Sequence, residues 1–296
     1  MTLFLFTHPR STSKNEEAIG RAVETLLKDG IVTREELFIT TKIAPRDQGY
    51  DKAYAAAHAC LQRLGPAIGY IDLLLIHWPG TQGRKVHDER NATNRQGSWR
   101  ALQHFYKEGH VKTIGVSNFT VGHLAELVAV KEGEEEQVEL PHVNQFELHP
   151  LIYPFQRPLL DFCAANDIFV QAYSSLGEGN LIPRPPPQSL DTSPTITTTI
   201  PETPTPASTA SITHVHTLLT TLAHNHTLSP TPAQILLAWA LAHSWGVIPK
   251  STSLARMREN LGAVDVALSG EDVRALDGVV GEEGVVKFCW DPTRIR

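Results

Sequence analysis

The chain has 296 residues, 41% of them hydrophobic and 20% charged, with a formal net charge of −6. That composition is ordinary for a globular protein, is long enough for one α/β barrel of about 250 residues, and offers no broad basic field for nucleic acid. The three cysteines, Cys60, Cys163 and Cys289, stand far apart without a CxxC pair, so they predict thiols in a reducing compartment and a cytoplasmic location. The opening "MTLFLFTHPR" is too short in its apolar run for a secretory signal, and nothing approaches the ~20 apolar residues of a membrane span. A small-molecule partner is the expectation, with no nucleic acid and no membrane; protein partners are not legible.

In chain order, short runs rich in Val, Ile and Leu predict strands at 37–43, 71–78, 113–118, 142–147, 169–174 and 246–251, with a short one at 264–266. "LFLF" at 3–6 is a candidate for a further, first strand. Segments of helical period lie between them: Asn15–Lys28, Tyr50–Leu64, Gln96–Glu108, Val121–Val130, Phe155–Asn166, Pro232–Ala242 and Leu254–Leu261. In the first, Ile19, Val23, Leu26 and Leu27 share one face and Gly30 follows as a stop. Thr33 and Glu36 have the spacing of a capping box, on a single turn before a strand. From Leu181 to Ile212 the chain is dominated by Pro, Thr and Ser, a composition that predicts a mobile insertion without a packed core. The domain expectation is one barrel over 1–296, interrupted at 181–212.

This alternation of buried strands and helices predicts parallel strands joined by crossover helices, the pattern of a (β/α)8 TIM barrel. Several strands end in polar residues: Lys42, His77, Ser117 and Asn118, Gln145, Tyr173 and Ser174, Lys250 and Ser251. In such a barrel these ends meet at one face and build the active site. Four histidines at 214, 216, 224 and 226 invite a metal reading, but no Cys or carboxylate accompanies them, and a surface helix is the expectation. No metal is assigned. The acidic run at 132–139 predicts a solvated loop.

Six stretches, "LFITTKI", "YIDLLLIHWP", "TIGVSNF", "VNQFELHP", "AYSSLG" and "IPKSTSLARMREN", resemble in their order the signatures of the aldo-keto reductase family. The resemblance runs from about Asn15 to the C-terminus. It implies a (β/α)8 barrel that reduces an aldehyde or ketone to an alcohol with NADPH. It makes Lys42 the active-site lysine and His77 the histidine that orients the substrate carbonyl; Trp78 beside it is a candidate substrate wall or equally a core residue. Ser117, Asn118 and Gln145 would hold the nicotinamide carboxamide, and Tyr173 would stack on its ring. Ser174, Leu176 and the backbone near Gly177 would line the pyrophosphate. Lys250, Ser251, Thr252 and Arg256 match the family's 2′-phosphate site, which favours NADP(H) over NAD, and Glu259 and Asn260 match its adenine contacts.

The sequence departs from the family at its start. By the resemblance, an aspartate, a proton-donating tyrosine five residues later, and then Asn-Glu should open the first helix. Asn15–Glu16 fits the Asn-Glu, and counting back puts Ser13 at the tyrosine and His8 at the aspartate. The first strand and N-terminal hairpin are therefore expected to be atypical or truncated. Serine is a far weaker acid than a phenol, and loss of a general acid typically costs about 10²–10⁴-fold in rate. Slow turnover with His77, Lys42, His8 or water as proton source stays open, and Tyr50 and Tyr153 follow other strands near the rim. The alternatives are an NADP(H)-binding pseudoenzyme or regulatory subunit, and a truncated gene product.

Overall fold

The computed structural model describes residues 3–6, 14–128, 139–183, 206–280 and 284–296. They fall into two compact units, one of Met1–Phe146, Phe162–Val170 and Asp291–Arg296, the other of Glu147–Asp161 and Gln171–Trp290.

In the first unit four strands and all but the last residue of a fifth run in sequence: β1 (Leu3–Phe6), β2 (Leu37–Ile43), β3 (Ile71–Ile76), β4 (Val111–Ser117) and β5 (Val143–Glu147). Each pairs with the next in parallel, in the register Leu3 to Leu37, Thr40 to Leu73, Ile71 to Val111 and Gly115 to Val143. The expected first strand at 3–6 is present. Helices α1 (Lys14–Lys28), α2 (Tyr50–Leu64), α3 (Arg90–Lys107) and α4 (Val121–Val128) connect them. Parallel strands covered by helices must be apolar on both faces, and all six residues of β3 are buried. Its one charge, Asp72, accepts at Oδ2 from Arg34 Nη2 at 2.7 Å and from the Ile39 amide at 2.8 Å, so the buried carboxylate is paired with a guanidinium. Helices α1 and α2 approach so closely that a Cβ on Gly20 would lie 2.0 Å from the Leu64 carbonyl oxygen.

Helix α3 begins at Arg90, six residues before the expected Gln96, because its first turns are held by buried polar groups that an apolar period does not reveal. Arg95 is fully buried, with its guanidinium on the Pro79 carbonyl at 2.9 Å and on Glu126. The expected single turn before β2 is present at Arg34–Glu36, and the Thr33 amide donates to the Glu36 carboxylate at 2.8 Å.

The second unit holds most of α5 (Tyr153–Ala165), the end of β6 (Phe169–Tyr173), α6 (Pro206–Asn225), α7 (Pro232–Ala242), β7 (Gly246–Val247), α8 (Leu254–Leu261) and α9 (Gly270–Asp277). Strand β6 pairs in parallel with β7, Gln171 to Gly246. Strand β7 stops far short of the expected 246–251, since Pro249 has no N–H to continue a ladder. The expected strand at 264–266 is not formed: Gly262–Asp265 continues α8 as a 3₁₀ turn, and Val264 is 66% exposed, with nothing to pair with.

The segment 181–212 is packed at both ends. Leu181 is fully buried, and α6 starts inside the segment at Pro206, where proline suits the first helical position, with Ser211 buried before Val215 and Leu219. The composition hid this because the apolar stripe of α6 begins only after residue 212. Residues 184–205 lie outside the described residues. Helix α9 was not expected, although Ser269 and Asp272 carry its signal: the Asp272 amide donates to Ser269 Oγ at 3.1 Å and the Ser269 amide to the Asp272 carboxylate at 2.9 Å.

Candidate active site

Strand β2 alternates its faces, and Thr41 points toward α1, where its hydroxyl donates to Glu16 Oε1 at 2.6 Å. Glu16, of the Asn15–Glu16 pair, also accepts from Arg63 Nε at 2.5 Å, so this glutamate ties α1 to α2 and β2. Lys42 therefore lies on the opposite face of the strand. It is half-buried, and burial brings its ammonium down to about 8. Among the described residues no carboxylate pairs with it.

The backbone around His77 is fixed from both sides. Its amide donates to the Ile43 carbonyl at 3.1 Å, and its carbonyl accepts from Asn118 Nδ2 at 3.0 Å. Trp78 is half-buried, its ring 6.1 Å from that of His77, and its carbonyl accepts from Gln48 Nε2 at 2.5 Å. Gln48 also reaches the Gly80 carbonyl and the Thr81 hydroxyl, a supporting role with no signature in the sequence.

Ser117, Asn118 and Gln145 are brought together. Ser117 is in register with Gln145, the Asn118 amide donates to the Gln145 carbonyl at 2.8 Å, and Asn118 Nδ2 donates to Ser117 Oγ at 3.1 Å. Asn118 holds φ at 65°, a left-handed conformation that asparagine tolerates better than most residues. The turn lifts its side chain back over the end of β3. The fold thus gathers Lys42, His77, Ser117, Asn118 and Gln145 at the C-terminal ends of neighbouring strands in the first unit.

In the second unit Tyr173 ends β6, its carbonyl accepting from the Leu148 amide at 3.2 Å. Burial, with Cys289 and Glu147 nearby, pushes its phenol well above the usual tyrosine range. Ser174, with φ at 50°, starts a tight turn that Gly177 closes by donating to the Ser174 carbonyl at 2.7 Å, with Leu176 half-buried within it. Gly177 has φ at 57°, and a Cβ there would lie 2.6 Å from Leu181 and 2.8 Å from Phe288. Ser175 is buried, and its Oγ has no hydrogen-bond partner among the described residues.

Lys250, Thr252 and Arg256 are exposed, and Ser251, Glu259 and Asn260 half-buried. Neither Lys250 nor Arg256 has a carboxylate partner among the described residues. Ser253 caps α8 by accepting from the Arg256 amide at 3.4 Å, and Ser251 Oγ accepts from the Ser253 amide at 3.1 Å. The Glu259 carbonyl accepts from Gln234 Nε2 at 3.0 Å.

One network was not anticipated, although "VNQFELHP" contains its centre. Glu147 is fully buried and accepts from the amides of Phe288 at 2.6 Å and Cys289 at 3.2 Å, from His149 Nε2 at 3.2 Å and from Lys287 Nζ at 2.5 Å. Burial alone would raise its pKa, but the hydrogen bonds and charges of His149 and Lys287 outweigh it and hold the carboxyl at about 2. Within the second unit the network clamps Lys287–Cys289 onto Glu147, and Cys289 Sγ lies 3.3 Å from Ser174 Oγ. Its partners are 140 residues apart in sequence, so no local pattern announces it.

His8 and Ser13 lie outside the described residues. The Tyr50 hydroxyl is engaged by His104 Nδ1 at 2.8 Å, and Tyr153 packs edge-on to Trp239 and against His243 and Trp245. His216, in α6, bonds the Asn180 carbonyl at 2.8 Å, and His226, just past its end, the Ala267 carbonyl at 3.1 Å, so these two imidazoles serve backbone groups.

Residues 11–280 match the model of the Aldo/keto reductase family. The chain is 36% identical over 272 residues to the glyoxal reductase of Bacillus subtilis, covering 92% of this chain and 77% of that protein. Among solved structures, an aldo-keto reductase enzyme from a Medee basin deep-sea metagenome library superposes with a TM-score of 0.68 at 31% identity, covering 95% of this chain and 82% of that one. An aldo-keto reductase of the silkworm Bombyx mori, complexed with NADPH, gives a TM-score of 0.64 at 27% identity, over 89% of this chain and 70% of that one. These relatives place the fold in the α/β class of (β/α)8 barrels.

Proposed function

The chain belongs to the aldo/keto reductase family, and on that premise we propose that Lys42 and His77 act on the oxygen of an aldehyde or ketone in NADPH-dependent reduction to the alcohol. The observation that carries this assignment is the desolvated Lys42 ammonium, brought to about 8 and without a carboxylate partner among the described residues. A general acid works best with a pKa near the operating pH. Ser13 stands where the family resemblance puts the proton-donating tyrosine, and Tyr50 is engaged by His104, so the role of proton donor is assigned to Lys42.

NADPH, when bound, supplies a hydride to the carbonyl carbon. As the C–H bond forms, the π pair of the C=O moves onto oxygen, where His77 and the Lys42 ammonium face the growing negative charge. Lys42 then passes its proton to that oxygen and is left as a neutral amine, which water reprotonates. Trp78 bounds the substrate, and the tie of His77 to Ile43 and Asn118 keeps the residue in position.

Each unit carries groups suited to one part of the dinucleotide. Ser117, Asn118 and Gln145 offer donors and acceptors for a carboxamide. Tyr173 supplies a ring to stack on, and the turn through Ser174 and Leu176 carries the Ser175 hydroxyl, unpartnered among the described residues, as a donor for a phosphate oxygen. Lys250, Ser251, Thr252 and Arg256 combine exposed cations with hydroxyls, as a 2′-phosphate requires, and Glu259 and Asn260 serve the adenine. A family match over residues 11–280 spans both units and supports one functional barrel over 1–296, with an insertion inside 181–212. Cys60, Cys163 and Cys289 are free, their thiols pushed up to about 12 by burial, which suits a cytoplasmic protein. Among the described residues no helix is long and apolar enough to cross a membrane.

The test is NADPH titration by protein fluorescence, followed by loss of the reduced-nicotinamide absorbance with a panel of aldehydes and ketones. Binding with turnover that Lys42→Arg abolishes supports the assignment. Binding without any turnover identifies a cofactor-binding pseudoenzyme.

A further inference from the structure

Far from these strand ends, the first unit gathers a second set of chemically active side chains. His58 comes from α2, Glu108 caps the C-terminus of α3, and His110 leads into β4. One ligand atom from each lies within 4.8 Å of the others, and they form the one such group of three found among the described residues. The imidazole rings of His58 and His110 are 5.2 Å apart at 69°, and His110 Nε2 is 3.8 Å from Glu108 Oε2. We propose that His58, Glu108 and His110 form a binding site for a divalent transition-metal cation of the zinc type, which staples α2, α3 and the start of β4 together.

The chemistry of the donors selects the ion class. Two imidazoles and one carboxylate suit zinc, whereas calcium and magnesium take oxygen ligands. Zinc–ligand bonds of about 2.0–2.1 Å put tetrahedral neighbours about 3.4 Å apart, so closure requires a contraction of about 1 Å. The side chains have room for it: His110 is 39% and Glu108 32% exposed, which also opens the site to an aqueous ion. Three protein ligands leave the fourth position to water.

The surroundings already orient the carboxylate. The Tyr54 hydroxyl lies 2.8 Å from both oxygens of Glu108, and His104 Nε2 sits 3.6 Å from Oε1 while its Nδ1 is engaged by Tyr50. Such outer partners set the direction of metal ligands. The site stands at the N-terminal end of β4, and Ser117 at the other end, seven residues away. At ~3.3 Å per residue this separates the ion from the carbonyl chemistry by about 20 Å, so its effect is on stability.

The experiment is calorimetric titration of chelator-treated full-length protein with Zn²⁺, alongside the visible spectrum with Co²⁺. The expected result is a site of one ion per chain, tetrahedral Co²⁺ bands, and a Zn²⁺-dependent rise in Tm. His58→Gln and Glu108→Gln should each weaken binding at least tenfold and remove the rise in Tm. Circular dichroism and NADPH affinity should match the wild type and show that both variants fold. His224→Gln, in α6, with His226→Gln just after it, should leave the affinity unchanged. Absence of Zn²⁺ binding by the wild type, or binding that survives both His58→Gln and Glu108→Gln, overturns the proposal.

Discussion

The residues assigned to the nicotinamide and those assigned to the 2′-phosphate are built in opposite ways. Ser117, Asn118 and Gln145 are 1%, 4% and 2% exposed and are bonded to one another or to the backbone beside His77, whereas Lys250, Thr252 and Arg256 stand in solvent. Hydride transfer and proton donation depend on reacting atoms held within a fraction of an ångström, which only packed, hydrogen-bonded strand ends provide. Recognition of a phosphate rests on charge and on the guanidinium fork, and mobile exposed side chains suffice for it. The first group should fail in turnover when altered, and the second in affinity.

The largest effect is expected at Lys42. Lys42→Met should lower kcat by about 10²–10⁴-fold while NADPH affinity stays within about twofold, as read by steady-state kinetics and fluorescence titration. Equal losses in both would erase the contrast. Next comes Glu147, the tightly bonded residue of the second unit. Glu147→Gln leaves Lys287 without its buried counter-charge and should cost about 3–5 kcal/mol in chemical denaturation. The same carboxylate sets an acid limit. Its folded pKa of about 2 lies below the unfolded value, so its stabilisation is complete above about pH 5 and is lost as pH falls through about 2. Denaturation midpoints measured down that range should decline in the wild type and much less in Glu147→Gln.

Arg256→Ala should weaken NADPH binding by about 10–100-fold, leave NADH binding nearly unchanged, and alter kcat little at saturating cofactor. A fall in kcat instead would place Arg256 with the packed group. The smallest effect is expected at Ser253, whose hydroxyl caps α8: Ser253→Ala should cost about 1 kcal/mol, seen as a lower Tm, with a modest loss of NADPH affinity as the helix carrying Arg256 frays.

What the sequence reveals follows the same division. Strand ends are legible because buried parallel strands are continuous apolar runs, and the polar residues near their ends, Lys42, Ser117 and Gln145 among them, are the ones proposed here for the site. The family resemblance supplied their roles. Long-range polar networks leave no periodic trace, so Glu147 with Lys287, Gln48 with the Trp78 carbonyl, and the buried Arg95 that extends α3 became visible only in the fold. His58, Glu108 and His110 were missed for a related reason: helix packing brings together residues from α2 and the turn before β4, and no ligand spacing links them in sequence. The expectation of an unpacked 181–212 erred at its edges because average composition cannot see one buried Leu181 or the start of α6.

The measurement that tests the central claim most directly is the pH dependence of kcat for carbonyl reduction, in the wild type and in Lys42→Arg. If Lys42 donates the proton, wild-type kcat is level near neutral pH and falls about tenfold per unit above about pH 8, and Lys42→Arg, charged but unable to give up its proton, turns over at least a hundredfold more slowly at every pH. A wild-type profile that stays level to about pH 10, or an arginine variant with near wild-type turnover, would contradict it.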